Sequence, residues 1–190
     1  MSELQIAAKN AREASYILAS LGSDVKNKAL ANVADALLKS KATIFEANKK
    51  DLEEAEKNGL DMPLFKRLKF NDDKLNDVIS GIESLIGLED PVGKVSLKTT
   101  LDDGLELTRV TCPIGVIGVI FESRPDALVQ ISSLCIKSGN AVFLKGGSEA
   151  MNTNIALASV ISKAGIDEIS FDSIFSVTPK SVVSLFKKLF

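Results

Sequence analysis

Lys145, Gly146, Gly147, Ser148 and Glu149 follow one another directly after the apolar run Ala141 to Leu144. An amine, two residues without side chains, a hydroxyl and a carboxylate at the end of a buried strand, just before a helix, suit an anionic or hydroxyl-bearing ligand. Glycine lets backbone approach closely, and the start of a helix is electropositive. The plainer reading of Ser148-Glu149 is a helix cap with an acid in the first turn. A second group, Glu122, Ser123, Arg124 and Pro125, stands at the end of another apolar run, Ile114 to Phe121. Pro125 drives Arg124 toward extended backbone, which aims the guanidinium away from the strand end, and its planar donor fork matches phosphate or carboxylate. A surface ion pair of Arg124 with Glu122 or Asp126 is the competing reading.

The sequence also excludes chemistry. It contains no histidine, so no Ser-His-Asp or Cys-His machinery can be built from it. It has two cysteines, Cys112 and Cys135, too far apart for a CxxC pair and too few for a disulfide framework or a structural zinc site. Cys135 lies between Leu134 and Ile136 and reads as a small packed hydrophobe, while Cys112 precedes Pro113 ahead of a strand; neither has the electropositive, exposed setting of a thiolate nucleophile. There is no GxGxxG: Gly115 and Gly118 fall inside the strand-like run, so the standard dinucleotide fingerprint is absent.

The elements that must hold these groups alternate. Ile114 to Phe121 reads as a strand, Asp126 to Ser138 as a helix closed by Gly139 and Asn140, Ala141 to Leu144 as a second strand, and Asn152 to Ala164 as a second helix closed by Gly165. A strand returned through a helix to a parallel neighbour gives a sheet covered on both faces, which accounts for the lack of polar alternation in Ile114 to Phe121. Ligands of such sheets sit beyond the carboxyl ends of the strands, where both candidate groups lie. Ser173 to Val177 predicts a further short buried strand, and Thr178-Pro179 the start of a last helix.

The combination of PIGVIGVIFESRP with KSGNAVFLKGGSEA resembles the γ-glutamyl phosphate reductases (glutamate-5-semialdehyde dehydrogenases), the proline-biosynthesis members of the aldehyde dehydrogenase superfamily. The likeness runs from the first helix to about residue 180. It implies NADPH-dependent reduction of γ-glutamyl phosphate through a cysteine thioester. It also implies that Phe121, Glu122, Lys145, Gly146, Gly147, Ser148 and Glu149 line the cofactor, with Lys145 and Ser148-Glu149 on the adenosine ribose side. Glu149 would repel a 2′-phosphate, so a preference for NADPH rests on the resemblance and on Lys145. Arg124, with Ser123, then stands where an acyl phosphate or a developing oxyanion would be met. The family's catalytic cysteine lies in a later segment that this chain does not possess.

Before the strands, the pattern is helical for about the first 90 residues. Helices are predicted over Leu4 to Leu21, from an N-cap at Asp24, over Ala42 to Asn58 with Ile44, Phe45, Asn48, Leu52 and Ala55 inward, from Asp61 to Leu68, and from a cap at Asn71 or Asp72 to Gly87. The charged face of the third helix reads as solvated surface. Val95 to Leu101 and Leu105 to Thr111 flank Asp102-Asp103-Gly104 as a β-hairpin, either folded against its own domain or, as the resemblance implies, part of a subunit interface.

The expected architecture is α/β: a Rossmann-like parallel sheet with an N-terminal helical subdomain (1–93), a hairpin excursion (94–112) and a βαβα cofactor-binding core (113–190). A net charge of −2 gives nucleic acid no basic surface, and no apolar run approaches the ~20 residues of a membrane span, so the expected setting is cytoplasmic. The helical pattern from Val182 stops at Phe190 in mid-period, which gives the expectation of an interrupted protein that holds the cofactor half without the nucleophile. Expressed alone, it is expected to bind NADPH weakly or not at all and to aggregate through that last apolar face. A complete enzyme is expected to be a homo-oligomer supplied by glutamate 5-kinase. The alternatives are another aldehyde dehydrogenase-like acyl reductase and a non-catalytic remnant or binding module.

Overall fold

The computed structural model describes residues 3–164 and 175–177. Five helices come first: α1 (Glu3–Ser20), α2 (Ser23–Lys39), α3 (Lys41–Lys57), α4 (Met62–Leu68) and α5 (Asp72–Gly87). Gly22, in extended backbone, caps α2, so Asp24 is not the cap but sits in the first turn, where its charge faces the helix's electropositive end. In α3 the inward stripe is Ile44, Asn48, Asp51 and Ala55, while Phe45 and Leu52 are half-buried. The charged face is solvated as expected, while one carboxylate that the expected stripe left out, Asp51, lies in the interior. Asn71 caps α5 by accepting from the Lys74 amide at 3.2 Å. That helix buries Leu75, Val78, Ile79 and Ile82, as its 3.6-residue period requires.

The chain then leaves the domain as an antiparallel hairpin, β1 (Val95–Asp102) and β2 (Leu105–Val110), turned at Gly104 with φ +74°. It is not laid against its own domain: every residue of both strands is exposed, Leu97, Leu101, Leu105 and Leu107 included. Its legs are tied at the root, where the Gly93 amide donates to the Thr111 carbonyl (2.9 Å) and the Thr111 amide to that of Lys94 (3.0 Å). Two buried lysines hold the approach to this root. Lys26 pairs with Asp90 at 2.5 Å, and Lys137 donates to Asn27 Oδ1 (2.8 Å), the Leu88 carbonyl (2.7 Å) and the Ile86 carbonyl (3.2 Å). Burial pulls the Lys137 amine below the usual lysine value, with the charge of Asp90 acting against it.

The second half runs β3 (Val116–Ile120), α6 (Pro125–Lys137), β4 (Ala141–Lys145), a 3₁₀ turn (Ser148–Ala150), α7 (Met151–Lys163) and β5 (Phe175–Val177). The strands form a parallel sheet in the order β3-β4-β5, with Val116 to Ile120 in register with Ala141 to Lys145. Central β4 is the buried strand: Ala141, Val142 and Leu144 are inaccessible, or nearly so, between neighbours on both sides. β3 departs from expectation. It ends the described sheet with only one neighbour, and Ile120 is 62% and Ile114 80% exposed, so its apolar run is not covered on both faces within these residues. Ser148 and Glu149 lie in the 3₁₀ turn rather than in the first turn of α7. One cluster of buried side chains joins α1, α2, α3, α5, α6, β4 and α7, so the N-terminal helices and the sheet share a core. The expected helix closure at Gly165, residues 173 and 174 of the expected last strand, Thr178-Pro179 and the Val182 to Phe190 pattern lie outside the described residues.

Candidate functional site

The level register of β3 and β4 brings the two groups of candidate residues to one corner. Ile120 faces Lys145, and the Phe121 amide donates to the Lys145 carbonyl at 2.9 Å, so the chain leaves both strands at the same height. The loops then lock together. Ser123 Oγ donates to Glu149 Oε2 at 2.5 Å, with Ser123 only 8% exposed. The contact admits no side chain at Gly147: a Cβ there would stand 2.1 Å from Ser123 Oγ and 2.7 Å from Glu149 Oε2. At Gly146 it would meet Asn154 Nδ2 at 2.3 Å and the Phe121 ring at 3.1 Å. The two glycines are thus required by close approach, since Gly147 itself has an ordinary φ of −63°.

The hydrogen bond from Ser123 holds the Glu149 carboxyl below its ordinary value, helped by its own backbone amide, Ser148 and the charge of Lys145 against a small opposing effect of burial. Lys145 Nζ donates to the Gly146 carbonyl at 2.6 Å. Ser148 and Glu149 are exposed and face α3 across a cleft of about 260 Å³, whose other wall is Asp51, Glu54, Asn58 and Leu60. A larger groove of about 380 Å³ between α5 and α6, lined by Ile82, Leu85, Leu88 and Leu134, contains none of the candidate residues.

Arg124 lies on the far side of Ser123. Its Nη2 is 2.9 Å from Asp126 Oδ2, so the ion pair with Asp126 exists, while Glu122 pairs with Arg67 at 2.9 Å. Lys74 reaches the same Asp126 oxygen at 3.3 Å. Burial would raise the Asp126 carboxyl, but Arg124 and Lys74 overcome it and the group lies below its usual range; Arg124 is raised in turn. The Arg124 side chain remains 48% exposed, leaving part of the guanidinium to solvent. Cys135 is buried, its thiol pushed up to about 11, whereas Cys112 is exposed at the foot of the hairpin.

Sequence reasoning passed over Asp51. It is 2% exposed and takes the amides of Asn152 (3.1 Å) and Thr153 (2.7 Å) at the start of α7. The electropositive end of α7 is therefore already satisfied from within the protein, and an anionic group arriving here would have to be met by side chains. The signal was in the spacing: 44, 48, 51 and 55 form one helical stripe. No group of ligating side chains able to hold a metal ion occurs among the described residues, and none of their helices is long and apolar enough to cross a membrane.

The chain is 60% identical over 164 residues to the γ-glutamyl phosphate reductase of Pelotomaculum thermopropionicum, a match that covers 86% of this chain and 37% of that protein. Over the matched residues, the chain belongs to the γ-glutamyl phosphate reductase family. It spans little more than a third of the length of these reductases. Among solved structures, the γ-glutamyl phosphate reductase of Thermotoga maritima superimposes with a TM-score of 0.91 at 39% identity, covering 99% of this chain and 45% of that one. A methylmalonate-semialdehyde dehydrogenase from Oceanimonas doudoroffii, only 15% identical, gives a TM-score of 0.70 over 95% of this chain and 34% of its own, so this chain shares the fold of that part of an aldehyde dehydrogenase. No family model matches the chain.

An amine, an exposed hydroxyl and a carboxylate are thus gathered at two glycines that leave no room for side chains.

Proposed function

We propose that this chain is the dinucleotide-holding part of a γ-glutamyl phosphate reductase, which converts γ-glutamyl phosphate to glutamate-5-semialdehyde and phosphate with NADPH in proline biosynthesis, in the cytoplasm. The observation that carries this reading is the Ser123–Glu149 contact, which fastens the turn after β4 to the loop carrying Arg124 at one corner of the sheet. When bound, the dinucleotide would supply the hydride that reduces the acyl carbon to the aldehyde.

The chain's own residues bind and orient. Lys145 and Ser148 hold the adenosine ribose, and Lys145 takes the 2′-phosphate. Glu149, whose Oε2 accepts from Ser123, stays ionised and is engaged with the neighbouring loop, so Lys145 is left to offset its charge toward that phosphate. Phe121, under Gly146, and Glu122, fixed by Arg67, wall the same corner. Arg124 meets the acyl phosphate or the oxyanion that develops at its carbonyl, a task for which a half-exposed guanidinium held at one nitrogen by Asp126 is pre-oriented. Neither cysteine is assigned the attack: Cys135 is buried with a raised pKa, and Cys112 sits at the hairpin foot. The nucleophile belongs to polypeptide outside residues 1–190. The exposed apolar hairpin is the element through which the complete reductase assembles with itself, and the acyl phosphate arrives from glutamate 5-kinase.

The test is Arg124→Lys in a complete reductase carrying this sequence. Turnover of the acyl phosphate is expected to fall by about a hundredfold, the order seen when a transition-state donor is lost. Unchanged turnover excludes the role. Titration of the complete reductase with NADPH and NADH, with and without Lys145→Ala, tests the cofactor corner separately.

A further inference from the structure

We propose that Asp51 is a positioning residue for the cofactor turn: reaching across from α3, its carboxylate caps α7 and so fixes where Ser148 and Glu149 stand. The inference rests on the reading of that turn as the dinucleotide site and adds the residue that holds it in place.

Helix α7 begins at Met151 after Ala150, which has no side-chain acceptor for the free amides of the first turn. Asp51 supplies both missing acceptors. Its Oδ1 accepts from the Asn152 amide (3.1 Å) and the Asn152 side chain (2.8 Å), and its Oδ2 accepts from the Thr153 amide (2.7 Å) and hydroxyl (2.5 Å). The Thr153 hydroxyl accepts in turn from Asn48 Nδ2 at 3.1 Å, and Asn48 also bonds the Leu68 carbonyl and the Phe70 amide, both at 2.9 Å. Asp51, Asn48 and Thr153 are all buried.

A serine or aspartate at position 150 would cap α7 locally without placing a charge in the interior. It would tie the helix to nothing else. A carboxylate from α3 joins the helix start to the opposite wall of the cleft, since Asp51 and Glu54 face Ser148 and Glu149 across it. Ala150, fully buried in a cluster with Ala55 and Leu68, presses the same turn onto α3 and α4. The turn after β4 is therefore held from two directions, by Ser123 through Glu149 and by Asp51 through α7.

The test compares a complete reductase carrying this sequence with its Asp51→Ala, Asp51→Asn and Leu75→Ala variants. NADPH affinity is read from the fluorescence of the reduced nicotinamide, and amide hydrogen exchange is followed over residues 148–154 and 75–82. Asp51→Ala is expected to raise the Kd about tenfold and to speed exchange over 148–154 while leaving 75–82 as in the parent, the scale on which lost support displaces a binding group. Asp51→Asn, which keeps one acceptor oxygen, is expected to fall between and keeps the test open if the alanine variant fails to fold. Leu75→Ala, a core variant on α5, is expected to leave the Kd within about twofold, because a general loss of stability does not reshape the turn. An unchanged Kd in both Asp51 variants, or an equal rise in Leu75→Ala, overturns the proposal. If the parent reductase takes up neither NADPH nor NADH, the reading of the turn as a cofactor site fails. The exchange data then decide the positioning claim alone, and unchanged exchange over 148–154 refutes it.

Discussion

Ser123 Oγ lies 2.5 Å from Glu149 Oε2, and this hydrogen bond joins the loops that follow two adjacent parallel strands. Ser123→Ala is expected to cost about 1 kcal/mol, the net worth of one hydrogen bond, at neutral pH. The carboxyl of Glu149 is held below 4.5 mainly by this bond. A depressed folded-state value means that the associated stability is fully present above 4.5 and drains away as pH falls through the folded value. The gap in Tm between parent and variant should therefore close on acidification below that pH, and an NMR titration should show Glu149 moving back toward its ordinary value in the variant.

Gly147→Ala should be worse than its backbone angle implies, because the new methyl would stand 2.1 Å from Ser123 Oγ. Overpacking of this kind costs about 1–3 kcal/mol. The pair should be strongly non-additive: Ser123→Ala removes the obstructing oxygen, so the double variant is expected to lose less than the sum of the two, measured by urea denaturation.

Much of this corner was readable in advance, for a physical reason. Apolar runs broken by Glu122 to Pro125 and by Lys145 to Glu149 announce strand ends, and parallel strands place such ends side by side. What could not be read was which groups would pair. Ser123 and Glu149 are twenty-six positions apart, and only the level register of β3 with β4 brings them together. Asp51 was hidden differently: its neighbours Lys49, Lys50, Glu53 and Glu54 are all solvated, and it was assigned to neither face although its spacing puts it on the inner stripe. The covered appearance of Ile114 to Phe121 misled for a third reason, since an apolar run reports the tolerance of a strand for burial and not how many neighbours lie beside it.

Asp126 gathers Arg124 and Lys74 on one oxygen while itself buried. Asp126→Ala leaves those two cations without their shared counter-charge and should cost about 2 kcal/mol at neutral pH, less than a fully buried pair because Arg124 and Lys74 are partly solvated. Its carboxyl lies below 3.8 in the fold, so this contribution is complete above that value and is lost as pH falls through the folded one. Denaturation at neutral pH and in strong acid should show the difference between parent and variant shrinking.

The two thiols should separate by reactivity. Cys112 is exposed, whereas Cys135 is buried with a pKa near about 11. A thiol-reactive dye at mildly alkaline pH is expected to modify Cys112 in the native chain and Cys135 only after denaturant is added, checked by peptide mass mapping.

Leu97→Asp with Leu107→Asp places charge on the exposed hairpin, where neither leucine is buried by its own domain. In a complete reductase the change is expected to shift the assembly toward monomer in analytical ultracentrifugation. In the 190-residue chain it should leave Tm within the small range typical of surface changes, about 0.5 kcal/mol in stability.

The hairpin's closed root has a practical corollary for anyone wishing to modify the molecule. Its legs are stapled at Gly93, Lys94 and Thr111, its approach is gripped by Lys26 and Lys137, and every residue of its two strands is exposed, so the tip stands clear of the helices. In the unassembled 190-residue chain the Asp103-Gly104 tip is thus a place to splice in an epitope or a fluorophore tether, whereas in the complete reductase the same insert would obstruct the proposed subunit contact.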